Sequence, residues 1–164
     1  MDTLRLEPLV EGYDFNVGNN VREQKLEGGM PRQVVKRVGA IHTVGVTVLL
    51  PDDGSRQYFW AFWRENSQRI GQPSTAAPKF NWTLMLDNGL LENCVCQFVG
   101  SEIPKENFIG GYASKVQFTV NVVPIVRDES FDRAIVDLWN GVESTGFIEL
   151  EKIPNEYFPN ATGV

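Results

Sequence analysis

Few side chains in this chain of 164 residues could carry covalent chemistry. His42 is the single histidine, so a Ser-His-Asp triad would have to use it, and a helix with two zinc-binding histidines is excluded. His42 falls among alternating apolar residues, which favours a hydrogen-bonded histidine in a core or at its rim. The sequence contains no Gly-x-Ser-x-Gly elbow, no Gly-x-Gly-x-x-Gly and no Walker lysine motif. We therefore expect no enzymatic activity and no catalytic residue.

The two cysteines, Cys94 and Cys96, are separated by one residue. On a strand, such residues face the same side with Cα atoms about 6.6 Å apart and parallel Cβ bonds, which disfavours a disulfide. A zinc site would need two further ligands, of which His42 supplies at most one. An iron–sulfur cluster would need four thiolates. We expect two small thiols packed in or beside the core, with no metal and no cofactor.

The composition is that of an ordinary globular protein. Hydrophobic residues make up 42% and charged residues 22%, which argues against a disordered chain, a collagen and a coiled coil. No apolar run approaches the roughly 20 residues of a membrane helix. The first residues also lack the basic and then apolar order of a signal peptide. We expect one soluble, cytosolic domain with no membrane partner.

The formal charge of −6 is unevenly distributed. Residues 1–127 are balanced, whereas residues 128–164 hold two bases against eight acids. An acidic segment disfavours contact with nucleic acid, because phosphate contacts need Lys and Arg. We therefore expect no specific nucleic-acid binding. The alternative interpretation is a solvated face that keeps the protein soluble.

Alternation of apolar and polar residues predicts strands with one buried face, as in antiparallel sheets. The clearest such strands are 41–50, 80–87 and 115–122. A further strand at 94–99 follows the turn Asp87-Asn88-Gly89, whose Asn-Gly pair favours a tight reversal. Residues 34–38 are expected to form one more strand.

Helical spacing appears first at 56–66, with Asp53 or Ser55 as the N-cap. Phe59, Phe62 and Trp63 form one apolar stripe, which suits a helix packed on a sheet. Trp60 lies off this stripe, so it is either covered by the same chain or is an interface anchor. If it is an anchor, Trp60→Ala should leave the monomer folded and weaken assembly.

A second helix is predicted from Asp128, its N-cap, to Gly141, which suits a C-terminal cap. Its apolar stripe consists of Phe131, Ala134, Ile135, Leu138 and Trp139. Its opposite side carries Asp132, Arg133 and Asp137. The stripe predicts a helix that covers, or is covered by, another apolar surface.

Loops long enough to carry contacts are predicted at 11–32, 67–79 and 100–113, and a short extended piece at 147–153. The resulting fold class is mainly β (α+β), an antiparallel sandwich or barrel with one central and one C-terminal helix. We expect a β domain at 1–127 that includes an N-terminal arm of about 1–32. Residues 128–164 are expected to form an acidic helix and tail packed on the same domain.

The order of elements in 29–124 matches a known pattern. Gly29-Met30-Pro31-Arg32 leads into strands, Phe59-Trp60-Ala61-Phe62-Trp63-Arg64 lies on the helix, and Phe80 to Asp87 forms the next strand. Cys96-Gln97-Phe98-Val99 and the long strand at 112–123 follow. This order resembles the minor tail or tail-tip proteins of long-tailed bacteriophages, a group similar to lambda M-like and distal tail proteins.

The resemblance implies a tail-tube-like fold and a structural, non-enzymatic role in the virion tail, with assembly in the host cytoplasm. It implies a homo-oligomeric ring, six-fold or three-fold, that joins the tail tube to other tail proteins. The candidate subunit-interface residues are Tyr13, Phe15, Trp60, Arg64 and Phe108. DNA would only pass through the channel, past the acidic candidates Asp128, Glu129, Asp132 and Asp137.

Two alternatives remain open at this point. The first is another virion role, as a head–tail connector or a head decoration protein. The second is a carbohydrate-binding sandwich, in which exposed Trp and Tyr side chains would stack on sugar rings. Images of particles that lack the protein would separate the virion roles, and glycan binding by the isolated monomer would favour the second alternative.

Overall fold

The computed structural model describes residues 1–67 and 77–141. The chain divides into two compact units, Met1–Pro124 and Ile125–Val164. The described strands and the first helix belong to the first unit, and the second helix belongs to the second. The expected fold class is confirmed, since the structure is mainly β with antiparallel sheets and two helices.

The elements, in chain order, are β1 (Asp14–Asn16), β2 (Val21–Gln24), β3 (Arg32–Val35), β4 (His42–Leu50), α1 (Asp53–Asn66), β5 (Phe80–Met85), β6 (Leu91–Phe98), β7 (Lys105–Gly110), β8 (Ala113–Val122) and α2 (Glu129–Trp139). Six strands form the main sheet in the order β1-β4-β8-β6-β5, with β7 also paired to β8. Strands β2 and β3 form a separate two-stranded sheet. All of these strand pairs are antiparallel.

Strand β8 organises the main sheet. It pairs with β4 along nine residues, from Leu50 opposite Ser114 to His42 opposite Val122. Its other edge is shared, because β7 pairs with its first half and β6 with its last three residues. The sheet therefore divides at β8 into two branches, one ending in β5 and the other in β7.

The core follows the predicted alternation. Every second residue of β4, β5, β6 and β8 points to one face, because successive side chains of a strand alternate. The buried apolar residues of these strands are Val44, Val46, Val48, Leu50, Phe80, Trp82, Leu84, Cys94, Cys96, Phe98, Val116, Phe118, Val120 and Val122. Helix α1 covers this face with Phe59, whose ring centroid lies 5.3 Å from that of Phe118, and Phe62, 5.2 Å from Phe80.

The N-terminal residues 2–9, here called the strap, connect β5, at one edge of the main sheet, with β4. Leu4 N donates to Asn81 O at 2.9 Å on β5, and Leu9 N donates to Thr47 O at 2.8 Å on β4. Between them, Leu6 O accepts a 2.7 Å hydrogen bond from the indole of Trp82. The strap makes only single bridges to these strands, so the described residues do not form a closed barrel.

Three sequence predictions about local structure were wrong. The predicted loop 11–32 contains β1, β2 and the first residue of β3. The predicted loop 100–113 contains β7, which was hidden because its side chains are mostly exposed and show no alternation. The N-cap of α1 is Asp52, not Asp53 or Ser55. Asp52 has an extended backbone and accepts from Ser55 N at 2.7 Å, while Ser55 Oγ accepts from Asp52 N at 3.3 Å. This reciprocal pair is a capping box, which leaves Ser55 inside the helix.

Other local predictions were closer. The strand expected at 34–38 is β3, which begins at Arg32 and ends at Val35. Helix α2 begins after Asp128, which caps Ser130 N at 2.9 Å, and Gly141 follows it with a positive φ of 73°. Neither described helix has the length and apolarity needed to cross a membrane. Most of the loop predicted at 67–79 and the piece at 147–153 lie outside the described residues.

Candidate interaction surfaces

The residues that could have carried covalent chemistry serve the packing of the sheet. His42 Nδ1 accepts a 3.0 Å hydrogen bond from Gly18 N, and its ring contacts Phe15 edge-on at 5.4 Å. Cys94 and Cys96 are buried, unbridged thiols. Burial raises the pKa of the Cys96 thiol, so it stays protonated at neutral pH and is a poor nucleophile. No group of three His, Cys, Asp or Glu residues in the described ranges could hold a metal.

A partly buried carboxylate, Glu106 on β7, links α1 to β7 and β8. Its Oε1 accepts from Arg56 Nε and from Ser114 Oγ, each at 2.7 Å. Its Oε2 accepts from Arg56 Nη2 and from Trp60 Nε1, each at 3.2 Å. These four residues are called the Glu106 cluster, and the Glu106 side chain is only 11% exposed. No sequence signal marked Glu106, because its partners are distant along the chain.

Electrostatics in the Glu106 cluster favour the ionised pair. The hydrogen bonds from Arg56 lower the pKa of Glu106, with further lowering by Ser114 and Trp60. The same contact raises the pKa of Arg56. The carboxylate therefore stays ionised at neutral pH and holds β7 against the outer side of α1. Trp60, which the sequence left as a possible anchor, is half-buried and uses its polar atom within this chain.

Two predicted interface residues, Tyr13 and Phe15, also make contacts within the chain. The hydroxyl of Tyr13 donates to Met85 O at 2.6 Å and accepts from Met85 N at 3.2 Å, at the end of β5. Burial raises the pKa of Tyr13, so the phenol stays protonated and can donate. Phe15 is half-buried beside His42. Both aromatics therefore already have partners in the monomer.

The other two predicted interface residues are exposed. Arg64 lies on the outer face of α1, in an open depression that it shares with Arg56 and Trp60. Phe108 on β7 is 63% exposed, and the guanidinium carbon of Arg56 lies 5.0 Å from its ring centroid. Arg56 thus brings Trp60 and Phe108 to one region. Ile109, beside Phe108, is exposed as well, which extends this apolar surface.

The most exposed structure in the first unit is the β2–β3 hairpin, residues 21–35. Its strands pair only with each other, and every strand residue except Val21 is exposed. The exposed apolar residues of the hairpin are Val34 and Val35 on β3 and Leu26 and Met30 in the turn. Met30 is 92% exposed. The sequence had predicted a loop over most of this stretch. Gly28-Gly29 between two short β-prone runs is the signal that could have revealed a hairpin.

The two faces of the β2–β3 hairpin differ in charge. Arg22 lies opposite Val34, and Gln24 lies opposite Arg32, so these four side chains share one face. The other face carries Val21, Glu23, Gln33 and Val35. Residues 21–37 hold five bases against two acids, whereas the chain as a whole carries −6. One face of the hairpin is therefore basic with an apolar centre.

The base of the hairpin is fixed to the main sheet. Asn20 accepts two hydrogen bonds. Its side-chain Oδ1 accepts from Ala40 N at 2.7 Å, and its backbone carbonyl accepts from Lys36 N at 2.8 Å. Gly18 donates its N–H to His42. A Cβ at Gly18 would overlap the carbonyl oxygens of Ala40 and Ile41. These contacts give the hairpin a fixed attachment although its strands pair only with each other.

Gly18→Ala should loosen this attachment. Since the Cβ would meet backbone atoms that cannot rotate away, we expect a loss of about 1 to 2 kcal/mol in the free energy of unfolding. Amide exchange at Ala40, whose N–H bonds to Asn20, should also accelerate. Gly29→Ala is the matched control, because a Cβ there meets no atom within 4 Å. Equal effects of the two substitutions would contradict this role of Gly18.

The acidic residues predicted to face a channel lie at or on α2. Asp128 is its N-cap, and Asp137 pairs with Arg133 at 3.0 Å. Glu129 and Asp132 are exposed. The apolar stripe of α2 is also largely exposed, and Phe131 is 60% and Trp139 86% accessible. The assignment of these acids to a DNA channel stays a prediction.

Comparisons of this chain with family models, curated proteins and solved structures found no match. The evidence on function therefore lies in the chain's own surfaces. Three of them stand out: the basic β2–β3 hairpin, the exposed apolar surface around Phe108, and the acidic helix α2 with its exposed stripe. All three are suited to contact with another macromolecule.

Proposed function

We propose that this chain is a non-enzymatic structural subunit that assembles with copies of itself into a ring. The observation that carries the proposal is the β2–β3 hairpin, which is attached firmly at its base and exposed almost throughout. A hairpin of two strands alone is marginally stable in water, because too little apolar surface is buried to offset the loss of chain entropy. Contact with a neighbouring subunit would bury the apolar residue on one face, Val34 or Val35, and stabilise it.

A projecting hairpin also suits ring symmetry. In a head-to-tail contact, each subunit inserts one surface into a different surface of its neighbour, and such contacts close into a ring when the rotation fits. The hairpin supplies one of these two surfaces. The exposed region around Phe108 offers a further surface for neighbouring tail proteins.

The biological setting we propose is a bacteriophage tail, with the ring at the tail tip joining the tail tube to tip proteins. This setting is supported by the resemblance in residues 29–124 and by a β-rich fold of one sheet covered by α1. The charge distribution agrees with such a role, since an acidic C-terminal segment disfavours binding to DNA that passes by. The number of subunits in the ring would be six or three.

Removing the β2–β3 hairpin tests the proposal. In a variant with residues 21–35 replaced by a short Gly-Ser turn, we expect a folded monomer, because none of these residues belongs to the buried core. Wild-type protein at micromolar concentration should form discrete oligomers in sedimentation and native mass spectrometry, and rings in negative-stain images. Thermal unfolding of the variant shows whether the core is intact. A wild-type chain that stays monomeric, or a variant that assembles equally well, would overturn the proposal.

A further inference from the structure

We infer that the surface that receives the β2–β3 hairpin is helix α2 of a neighbouring copy. This inference rests on the proposed function and names the contact that would hold the ring together. The basic face of the hairpin would lie across the acidic flank of α2, with Val34 against the apolar stripe. Each subunit would then donate one hairpin and offer one helix, so that the contact repeats around the ring.

The stripe and the acids of α2 are arranged to meet such a face. Asp132 was predicted on the side of α2 opposite the apolar stripe, but it lies at the edge of that stripe. Asp132 and Trp139 are seven residues apart, which places them in nearly the same row along the helix. Glu129 precedes Asp132 by three residues and lies on the same flank. Because Asp128 caps the helix and Asp137 pairs with Arg133, we assign the pairing to Glu129 and Asp132, whose side chains are exposed.

The charges of the two surfaces are opposite. The hairpin, residues 21–35, carries three bases and two acids, and Lys36 and Arg37 follow it directly, whereas residues 128–141 carry four acids and one base. These counts give a formal charge of +1 for the hairpin, +3 with the two following bases, and −3 for the helix segment. Arg22 and Arg32 share a face with Val34, so both guanidinium groups could pair with the two carboxylates on one flank of α2 while Val34 contacts the apolar stripe beside them. Opposite potentials of this kind speed association and reject wrong orientations.

The dimensions also agree. A strand of four residues, the length of β3, spans about 13 Å, and a helix of eleven residues, the length of α2, spans about 16 Å. One strand can therefore lie along most of the helix. A second copy is the partner we assign because this one chain presents both members of the pair, each exposed and each with apolar residues beside its charges.

Charge exchange between the two surfaces tests the inference. The first variant, Arg22→Glu with Arg32→Glu, makes the hairpin acidic, and the second, Glu129→Lys with Asp132→Lys, makes the flank of α2 basic. Each variant alone should weaken self-association about 100-fold in sedimentation, because like charges would face each other. An equimolar mixture should form complexes that contain both variants in native mass spectrometry, and these complexes should close into alternating rings when the number of subunits is even. Arg5→Glu with Lys79→Glu is the matched control for the hairpin variant, since it makes the same change in net charge at exposed positions outside both surfaces.

The outcomes separate this inference from the proposed function. If wild-type protein assembles and the two variants assemble equally well, the pairing is wrong while the ring proposal stands. If wild-type protein is monomeric, both fail. If a chain carrying all four substitutions assembles but the mixture gives no complex that contains both variants, the contact lies within one chain and the inference is overturned. Normal assembly of the variant with Glu129→Lys and Asp132→Lys would also overturn the pairing. Glu129 and Asp132 of the wild-type protein would then be available to line a channel.

Discussion

Trp82→Ala is expected to lower the free energy of unfolding by about 4 kcal/mol, because it removes a large side chain from a core that cannot collapse to fill the space. Trp82 is 1% exposed, and its ring is stacked on Phe118 with centroids 5.6 Å apart. Its indole also donates to Leu6 O in the strap. Urea unfolding at a concentration where the chain is monomeric measures the loss.

Two further variants make this test specific. Trp82→Phe keeps an aromatic ring but removes the indole N–H, so we expect a smaller loss of about 1 to 2 kcal/mol and faster amide exchange at Leu9, which the strap holds on β4. Trp139→Ala is the matched control, because Trp139 is exposed and should change stability by less than about 0.5 kcal/mol. A loss at Trp139 equal to that at Trp82 would contradict this account of the core.

Glu106→Gln should destabilise the protein by about 2 kcal/mol at neutral pH. The carboxylate accepts hydrogen bonds from Arg56, Trp60 and Ser114, and bonds to an ionised acceptor are stronger than those to an amide. We expect a value near the lower end for a buried pair, because Arg56 is partly open to solvent, which screens its charge. Glu102→Gln, at an exposed carboxylate on the same segment, is the control and should have little effect.

The effect of Glu106→Gln should depend on pH. The pKa of Glu106 is lowered in the folded protein, so folding favours the ionised carboxylate over the protonated one. The stabilisation is complete above the ordinary glutamate pKa of about 4.3 and is lost as the pH falls through the lower, folded pKa. The difference in unfolding free energy between wild type and variant should therefore shrink below about pH 4.3. If this difference in unfolding free energy stays constant from pH 7 to pH 3, the ionisation of Glu106 does not contribute to the stability of the folded protein.

The main sheet was predictable because one of its faces is buried. In β4, β5 and β8 the requirement to bury every second side chain left a period of two in the sequence, and residues such as Val46, Trp82 and Phe118 were expected in the core, where they lie. Strand β7 left no such signal, since Phe108 and Ile109 are exposed on it. The same reason hid most of the β2–β3 hairpin, in which neither face is buried by the first unit.

The contacts around the candidate surfaces were harder to predict. Tyr13 and Trp60 were predicted as interface aromatics from their residue type, but both donate hydrogen bonds within the chain, to Met85 O and to Glu106. These partners are brought close only by the tertiary fold, and a single sequence carries no periodic signal for such pairs. The cap at Asp52 was missed by one position, which is the usual uncertainty of a helix boundary.

The strap has a consequence for how the protein is made on the ribosome. Its residues leave the exit tunnel well before β5, yet Leu4 and Leu6 bond to Asn81 and Trp82 on that strand. The strap can therefore join β4 to β5 only after β5 has emerged, and until then residues 2–6 lack their partners on that strand. Long-range pairing of this kind slows folding. An N-terminal fusion that restrains residues 2–9 should consequently delay maturation more than a tag of the same size at the C-terminus.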